Sequence, residues 1–351
     1  MWLGACVSVE AHPVPFSYID LRVGAAAIDA VVVVHTFDAA NDLNVQPPER
    51  LLEPAALEAQ GRAIAELLNA RLTLAADGSV LRDAAWFPPE ALPDRQSIRI
   101  RGTYRLLRSP GRLDVAARMF PYDPAHKTFL NVYEGGTLAA QAILDTDRST
   151  FQYFTGTRQG TWAVLQKFVP AGVHHILVGP DHLLFLAGLL LLGGTLKQLL
   201  VVVSAFTIAH SITLSLAALG MVMPPPNAIE PAIALSIVYV GADNLLVSGG
   251  GRDTRAWIAF AFGLIHGFGF ATVLRNMELP SRALGWSLFG FNAGVEIGQL
   301  VFVVIIASLF GWIRARSETA GRRLAFAGSI VVILAGAFWF LQRVFFSGGL
   351  V

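Results

Sequence analysis

Six apolar stretches fill the second half of the sequence, each close to the ~20 residues that an α-helix needs to cross a bilayer. They are residues 171–194, 198–219, 230–248, 256–275, 284–311 and 324–346. Over the whole chain 54% of the residues are hydrophobic and only 15% are charged, which is typical of an integral membrane protein. Residues 161–351 are therefore predicted to form an α-helical polytopic membrane domain with six transmembrane helices.

The first of these stretches contains ionisable residues that are costly inside a membrane. They are His174, His175, Asp181 and His182, with Gly179 and Pro180 between the two pairs. Positions seven apart almost eclipse each other on a continuous helix, so we expect His175 above His182 and His174 above Asp181. The proline is expected to bend the helix. A charge at membrane depth costs about 2.5–3.5 kcal/mol, so this group predicts a functional site; the alternative is a hydrogen-bonded pair that fixes helix packing.

Further polar side chains lie in the later stretches. Counting inward from the ends places five of them near one depth: Asp181, His182, His210, His266 and Glu296. The third stretch adds Glu230 and Asp243 as candidate ligands, whereas the sixth has no such group before Gln342 and is predicted to be a peripheral packing helix. Imidazole and carboxylate ligands without a thiolate suit Ni²⁺, Co²⁺, Zn²⁺ or Cu²⁺ better than Cu⁺. The pattern therefore predicts a site for a divalent transition metal.

Residues 12–160 have the pattern of a soluble domain. Alternation of apolar and polar residues predicts strands at 16–23, 97–107, 113–120 and 129–133, with a more buried run at 30–37. Residues 47–72 have apolar positions at helical spacing and prolines near the start, which predicts one helix. The combination predicts an N-terminal extracytoplasmic domain, an antiparallel β-sandwich with a helical insert.

Residues 1–11 resemble the end of a secretory signal peptide, with a short apolar run followed by small residues. A start further upstream and a lipoprotein-type box ending at Cys6 are the other interpretations. Cleavage after Ala11 would make His12 the terminal residue, whose amine and imidazole would chelate a divalent metal with help from His35 or His126. The alternative is an ordinary exposed terminus. Cys6 is the only cysteine, which excludes an internal disulfide and a cysteine-based metal cage.

Basic residues predict the orientation, because lysine and arginine accumulate in cytoplasmic loops. The three loops predicted to be inside contain Lys197, Arg252, Arg255, Arg314, Arg316, Arg322 and Arg323, and the two outside hairpins contain only Arg275 and Arg282. We therefore expect the N-terminal domain and both termini outside. The net charge is +1 and no basic cluster is present, so the lipid bilayer and a metal ion, but no nucleic acid, are the expected partners.

Five segments resemble, in order, the HupE/UreJ family of bacterial membrane proteins. They lie between residues 171 and 300 and read HHILVGPDHLLFL, FTIAHSITLSLAALG, EPAIALSIVYVGADNLL, FGLIHGFGFA and FNAGVEIGQL. The stretch FPYDPAHKTFLNVYE resembles the extracytoplasmic domain carried by one branch of the family. The spacing from His175 to Asp181-His182 is also similar to a nickel/cobalt transporter signature, with five intervening residues here instead of four. The resemblance implies a nickel or nickel/cobalt permease of the bacterial inner membrane, associated with hydrogenase and urease accessory functions.

These observations favour a permease for a divalent transition metal over an enzyme. The sequence has no P-loop, which predicts coupling to a gradient, a channel mechanism or another subunit. One alternative is an intramembrane zinc-dependent hydrolase, with three histidines on Zn²⁺ and Glu296 as general base. The other is a metal-binding receptor or assembly factor whose outer domain does the binding. A second copy of the chain or an accessory metalloprotein is the protein partner to test for.

Overall fold

The computed structural model describes residues 16–82, 84–246, 253–269 and 281–346. The chain divides into two compact units between Ala163 and Val164. The first is rich in strands and the second is helical. The signal-like residues 1–11 and His12 lie outside the described residues.

The N-terminal unit contains eleven described strands arranged in two sheets. They are β1 (Phe16–Val23), β2 (Ala27–His35), β3 (Leu72–Ala76), β4 (Ser79–Leu81), β5 (Ala85–Trp86), β6 (Glu90–Leu92), β7 (Ser97–Arg105), β8 (Arg112–Ala117), β9 (Lys127–Glu134), β10 (Thr137–Leu144) and β11 (Thr150–Phe154). The larger sheet has the order β10-β9-β1-β2-β7-β5, with β6 also paired to β7, and the smaller has the order β11-β8-β3-β4.

One hydrophobic core joins the inward side chains of both sheets with those of the helices. Successive side chains of a strand point to opposite faces, so Ile19 and Leu21 of β1 are buried while Tyr18 is exposed. The same core contains Leu113 of the smaller sheet and Ile64 of a helix. The predicted segments correspond to β1, β2, β7, β8 and β9, and the other six described strands were not predicted.

Three details of this unit differ from the predictions. The expected helix at 47–72 is three pieces: a 3-10 turn (Pro48–Leu52), α2 (Pro54–Ala59) and α3 (Gly61–Arg71). Pro54 forces the residue before it into an extended conformation, which interrupts the helix. The expected strand at 30–37 ends at His35, whose Nδ1 accepts the Phe37 N–H and caps α1 (Thr36–Leu43).

The third difference is that the larger sheet is not wholly antiparallel. Strand β1 pairs in parallel with β9, with Phe16 opposite Lys127, and every other strand pair in the described residues is antiparallel. More than a hundred residues separate these two strands, so no hairpin imposes an antiparallel arrangement on them.

The second unit is built from helices. They are α4 (Arg158–Val178), which begins in the first unit, α5 (Pro180–Leu191), α6 (Leu196–Ala218), α7 (Pro226–Leu246), α8 (Arg255–His266), α9 (Ser281–Arg316) and α10 (Glu318–Phe345). Among the described residues four helices are long and apolar enough to cross a membrane, namely α6, α7, α9 and α10. The bent pair α4 and α5 makes a fifth crossing if it is counted as one. The fourth predicted span is represented by α8, and its remainder lies outside the described residues.

Glycines at the helix contacts show the relative directions of the helices. Gly290, Gly294 and Gly298 of α9 lie against Leu165, Val169 and Val173 of α4, so these two helices run in the same direction. A Cβ atom on Gly294 would collide with the Val169 carbonyl. Small residues at such contacts allow helix backbones to approach closely. We call this contact the α4–α9 seam.

A second glycine contact joins α6 to α8. Gly263 lies against Phe206, and Gly267, the residue that ends α8, lies against His210. This contact, which we call the α6–α8 seam, is also parallel. Two further contacts are antiparallel: Gly241 of α7 meets Ser329 of α10 while Gly336 of α10 meets Ala234, and α5 runs against α10 in the same sense. With α4 and α5 counted as one crossing, successive helices along the chain therefore run in opposite directions, as successive membrane crossings do.

The C-terminal end of α5 is held by two arginines from other helices. Arg255 of α8 donates to the Leu189 and Gly193 carbonyls at 3.1 and 2.5 Å. Arg314 of α9 donates to the Leu192 carbonyl at 3.0 Å and also to that of Leu191. The last carbonyls of a helix have no partner within it and carry its partial negative charge, so these cations stabilise the end of α5.

Candidate metal centre

The helix of the first apolar stretch is broken where its polar residues lie. Helix α4 ends at Val178, α5 begins at Pro180, and the two axes differ by 68°. Pro180 fits the first position of α5, where no intrahelical donor is needed. Gly179 between them is extended, and its N–H still donates to the His175 carbonyl at 3.0 Å. The predicted bend is therefore a complete break.

Four histidines from four helices lie together at this break. They are His175 of α4, His182 of α5, His210 of α6 and His266 of α8, and we call them the histidine cluster. The ring centroid of His182 is 4.7 Å from that of His175, 5.1 Å from that of His266 and 6.2 Å from that of His210. His210 is 0% exposed, His266 1% and His182 8%. Three of these residues were predicted to meet at one depth, and His175 joins them.

Aromatic rings surround the cluster. Phe206 stacks on His210 with centroids 5.9 Å apart and lies edge-on to His266 at 5.3 Å. Phe185 lies 5.2 Å from His266, and Phe291 lies 5.4 Å from His175. The wall around the imidazoles is therefore apolar, and little in it competes for their nitrogen atoms.

Ser236 determines which nitrogen of His266 carries the proton. The Ser236 hydroxyl donates its only proton to the Ile233 carbonyl at 2.6 Å and lies 2.9 Å from His266 Nε2. It must therefore accept a hydrogen bond from the His266 Nε2–H, which leaves the lone pair on His266 Nδ1. That Nδ1 is buried and has no hydrogen-bond partner in the described part of the chain. A second residue that fixes the tautomer in this way is usual around metal-binding histidines.

Two other members of the cluster also have buried nitrogen atoms without partners. Both ring nitrogens of His210 and Nε2 of His182 lack a hydrogen bond to any described residue. Buried polar atoms of this kind are rare in folded proteins, and each needs an explanation such as an ion or a water molecule. The donor set is neutral imidazole, which suits late first-row divalent metals.

The side chains as they stand do not form a finished coordination shell. Within the described residues, no group of three or more His, Cys, Asp or Glu side chains is arranged to hold one metal ion. Coordination by three members of the cluster would require side-chain rotation.

The other predicted ligands lie in different surroundings. Asp181 forms an ion pair with Arg343 of α10, at 2.8 Å between Oδ2 and Nη2. Glu296 of α9 accepts a hydrogen bond from the Ser204 hydroxyl at 2.8 Å. Of the remaining three, His174 and Glu230 are exposed, and Asp243 is half-buried.

The ion pair of Asp181 corrects one prediction about the sixth apolar stretch. Helix α10 was expected to be a peripheral packing helix, but Arg343 near its end contacts one of the candidate ligands. The signal was present in the sequence, since an arginine within an apolar stretch calls for a partner. Ser236 gave no comparable signal, because serine is common in membrane helices.

A profile of the family described as HupE / UreJ protein matches residues 152–343, more than half of the chain. The chain belongs to the HupE/UreJ family. The matched region of this HupE/UreJ protein contains the entire histidine cluster, and together with the apolar helices it identifies a membrane protein. No curated protein matches the chain.

In the N-terminal unit of this HupE/UreJ protein, the two histidines proposed to assist His12 have partners of their own. His35 caps α1, as described above. His126 is buried; its Nε2 lies 2.9 Å from the Ser17 hydroxyl and its Nδ1 lies 3.5 Å from Asp38 Oδ2. Burial lowers the pKa of His126 and raises that of Asp38. A metal site at the amino terminus remains a prediction.

Proposed function

We propose that this HupE/UreJ protein is a permease that carries a divalent transition metal, nickel or cobalt in the first instance, across the bacterial inner membrane. The observation that carries the proposal is the histidine cluster: imidazoles from four helices meet at a helix break, and the three that are buried have ring nitrogens without hydrogen-bond partners among the described residues. The family resemblance supplies the metals to test first.

The ring separations suit a shared ion for part of the cluster. Imidazoles that bind one ion at about 2.1 Å have ring centroids about 4.6–5.3 Å apart for bond angles between 90° and 109°. The His175–His182 and His182–His266 separations of 4.7 and 5.1 Å fall in this range. His210, at 6.2 Å from His182, lies about 1 Å beyond it. His182 is therefore the proposed central ligand, and His210 the ligand that joins or leaves as the ion moves.

The broken helix supports transport over static binding. In many secondary transporters the substrate site lies at discontinuous helices, whose freed carbonyl groups help to coordinate cations. Here α4 ends beside His175 and α5 begins beside His182. The alternating helix directions support six crossings, and the arginines around the end of α5 support a cytoplasmic location for that end. We accordingly propose that the N-terminal domain and both termini lie on the periplasmic side.

Uptake of Ni²⁺ by proteoliposomes containing the purified full-length chain tests the proposal. Wild-type protein should accumulate Ni²⁺ above empty liposomes, and His182→Ala should reduce equilibrium binding at least tenfold, about 1.4 kcal/mol, and abolish uptake. His174→Ala is the matched control, since this exposed neighbour of His175 lies outside the cluster. Unchanged uptake by His182→Ala would overturn the site.

Metal binding without uptake by the wild type would overturn the permease and favour a receptor or assembly factor. The zinc hydrolase has less support, because Glu296, its candidate base, is bonded to Ser204.

A further inference from the structure

The ion pair between Asp181 and Arg343 joins two helices beside the histidine cluster. Asp181 lies in the first turn of α5, directly before His182, and Arg343 lies in the last turn of α10. Their closest oxygen and nitrogen atoms are 2.8 Å apart. The two side chains keep 20% and 23% of their exposure, so the ion pair is only partly buried.

Only one of the two Asp181 carboxylate oxygens has a hydrogen-bond partner among the described residues. Oδ2 accepts the hydrogen bond from Arg343, whereas Oδ1 is buried and accepts none from the described part of the chain. An ionised carboxylate offers about four acceptor positions, so this one keeps a free coordinating oxygen next to His182. Carboxylate oxygen is a suitable ligand for the divalent metals that imidazole also binds.

Arg343 is held in place by a second contact. Its Nη1 donates to the backbone carbonyl of Glu230 in α7 at 3.1 Å. One guanidinium therefore links α5, α7 and α10. A guanidinium presents its donors in a planar fork, which lets it hold the Asp181 carboxylate and the Glu230 carbonyl at once.

We propose that Arg343 is a built-in competitor of the transported cation. When no metal is bound, its guanidinium supplies the positive charge that Asp181 needs and ties α5 to α7 and α10. An arriving divalent cation binds Asp181 through Oδ1, draws the carboxylate toward His182, and displaces Arg343. The inference rests on the proposed function and names Arg343 as the residue that sets metal affinity and couples binding to movement of α10 away from α5.

If Arg343 competes with the metal for Asp181, its removal affects metal binding differently from the loss of a purely structural ion pair. Removing the competing charge should tighten metal binding, whereas removing a structural contact should weaken binding or leave it unchanged. Tight binding without the competitor should also slow release, so turnover should fall while affinity rises. If the ion pair were purely structural, removing it would lower both the stability of the protein and its transport activity.

The experiment measures equilibrium binding of Ni²⁺ by the full-length protein in detergent, and Ni²⁺ uptake into proteoliposomes. Arg343→Gln should bind Ni²⁺ at least tenfold more tightly and transport it more slowly than wild type. Arg343→Lys keeps a charge without the planar fork, so it should lie between the two. Arg322→Gln is the matched control, because this exposed arginine on the same helix should change neither quantity.

Asp181→Asn decides whether the gain acts through the carboxylate. In the double variant with Arg343→Gln, affinity should equal that of Asp181→Asn alone, because no carboxylate remains to compete for. Weaker or unchanged binding in folded Arg343→Gln overturns the proposal. If Arg343→Gln does not fold, a Ni²⁺ affinity of Arg343→Lys equal to that of wild type overturns the proposal instead. Such a result with normal wild-type uptake leaves the permease intact, whereas a wild type that binds no Ni²⁺ overturns both proposals.

Discussion

The imidazole of His182 lies 4.7 Å from that of His175, although the helix is broken between them and turns by 68°. A continuous helix would place these residues one above the other, about 10 Å apart along its axis. The break at Gly179 shortens that separation and brings both rings to one level with those of His210 and His266. Gly179 and Pro180 therefore help to create the candidate site.

The hydroxyl of Ser236 should control the metal affinity of His266. Ser236→Ala removes the acceptor that keeps the proton on His266 Nε2, so His266 Nδ1 is no longer held as the lone-pair atom. Loss of such a supporting contact typically costs 10–100-fold in metal affinity. Equilibrium Ni²⁺ binding measures the loss. Ser329→Ala, which removes another buried helix serine bonded to its own backbone, should not change affinity, and equal losses in both variants would refute the tautomer argument.

The α4–α9 seam should not tolerate even one added methyl group. Gly294→Ala places a Cβ against the Val169 carbonyl and the Val173 N–H, and overpacking of this kind costs about 1–3 kcal/mol. Gly285→Ala in the same helix meets no atom within 4 Å and should be neutral or stabilising by up to about 1 kcal/mol. Thermal unfolding of the two variants in one detergent provides the comparison. Equal midpoints would show that the seam is looser than described.

The proposed orientation predicts the side on which each end of α10 lies. An epitope inserted at Ser317, between α9 and α10, should be protected from protease in spheroplasts, because Arg314, Arg316, Arg322 and Arg323 flank it. A tag after Val351 should be accessible. A tag at Arg252, outside the described residues, should behave as the one at Ser317 does. Accessibility at Ser317 would reverse the orientation.

The buried His126 should make the N-terminal unit sensitive to acid. Burial lowers its pKa below 6.5, so the unfolded chain takes up a proton more readily than the folded one. The stability gained by keeping it neutral is complete above pH 6.5 and is lost as the pH falls toward the folded-state pKa. The raised pKa of Asp38 acts in the opposite direction, over the range between its ordinary value of 3.8 and its higher folded-state value.

Hydrogen exchange in β9 of the full-length chain reports this effect. After correction for the intrinsic rate, exchange should be faster at pH 5.5 than at pH 7.5, by up to about tenfold per pH unit for one proton. His126→Asn should remove most of the difference. A pH dependence that persists in this variant would assign it to another group.

The sequence predicts most of the membrane unit, because both length and polarity of its helices follow from the cost of polar groups in lipid. The same cost explains why His182, His210 and His266 could be named before their contacts were known. Helical periodicity does not predict the arrangement around Gly179, because it shows only which side chains share one face of an unbroken helix. It also cannot find the pair between Asp181 and Arg343, which are 162 positions apart.

In the N-terminal unit, alternation located five of the eleven described strands, because one face of each is buried. Pairing partners were harder to predict: β1 and β9 meet in parallel across the larger sheet, and no local turn requires that choice. The helical insert was placed correctly but was predicted as one piece, because apolar spacing continued through Pro54.

The two glycine seams join four helices of the membrane unit into two closely packed pairs, with α5, α7 and α10 outside them. Helices α4 and α9 touch backbone to backbone, and α6 and α8 do the same, so neither pair can slide internally without steric collision. The histidine cluster draws His175 from the first pair and His210 and His266 from the second, with His182 on the short helix between them. A rocking movement of one pair against the other would therefore open or close the ligand set as a whole, with both seams intact. In the proposed permease, one small rotation of this kind would act as both gate and release step.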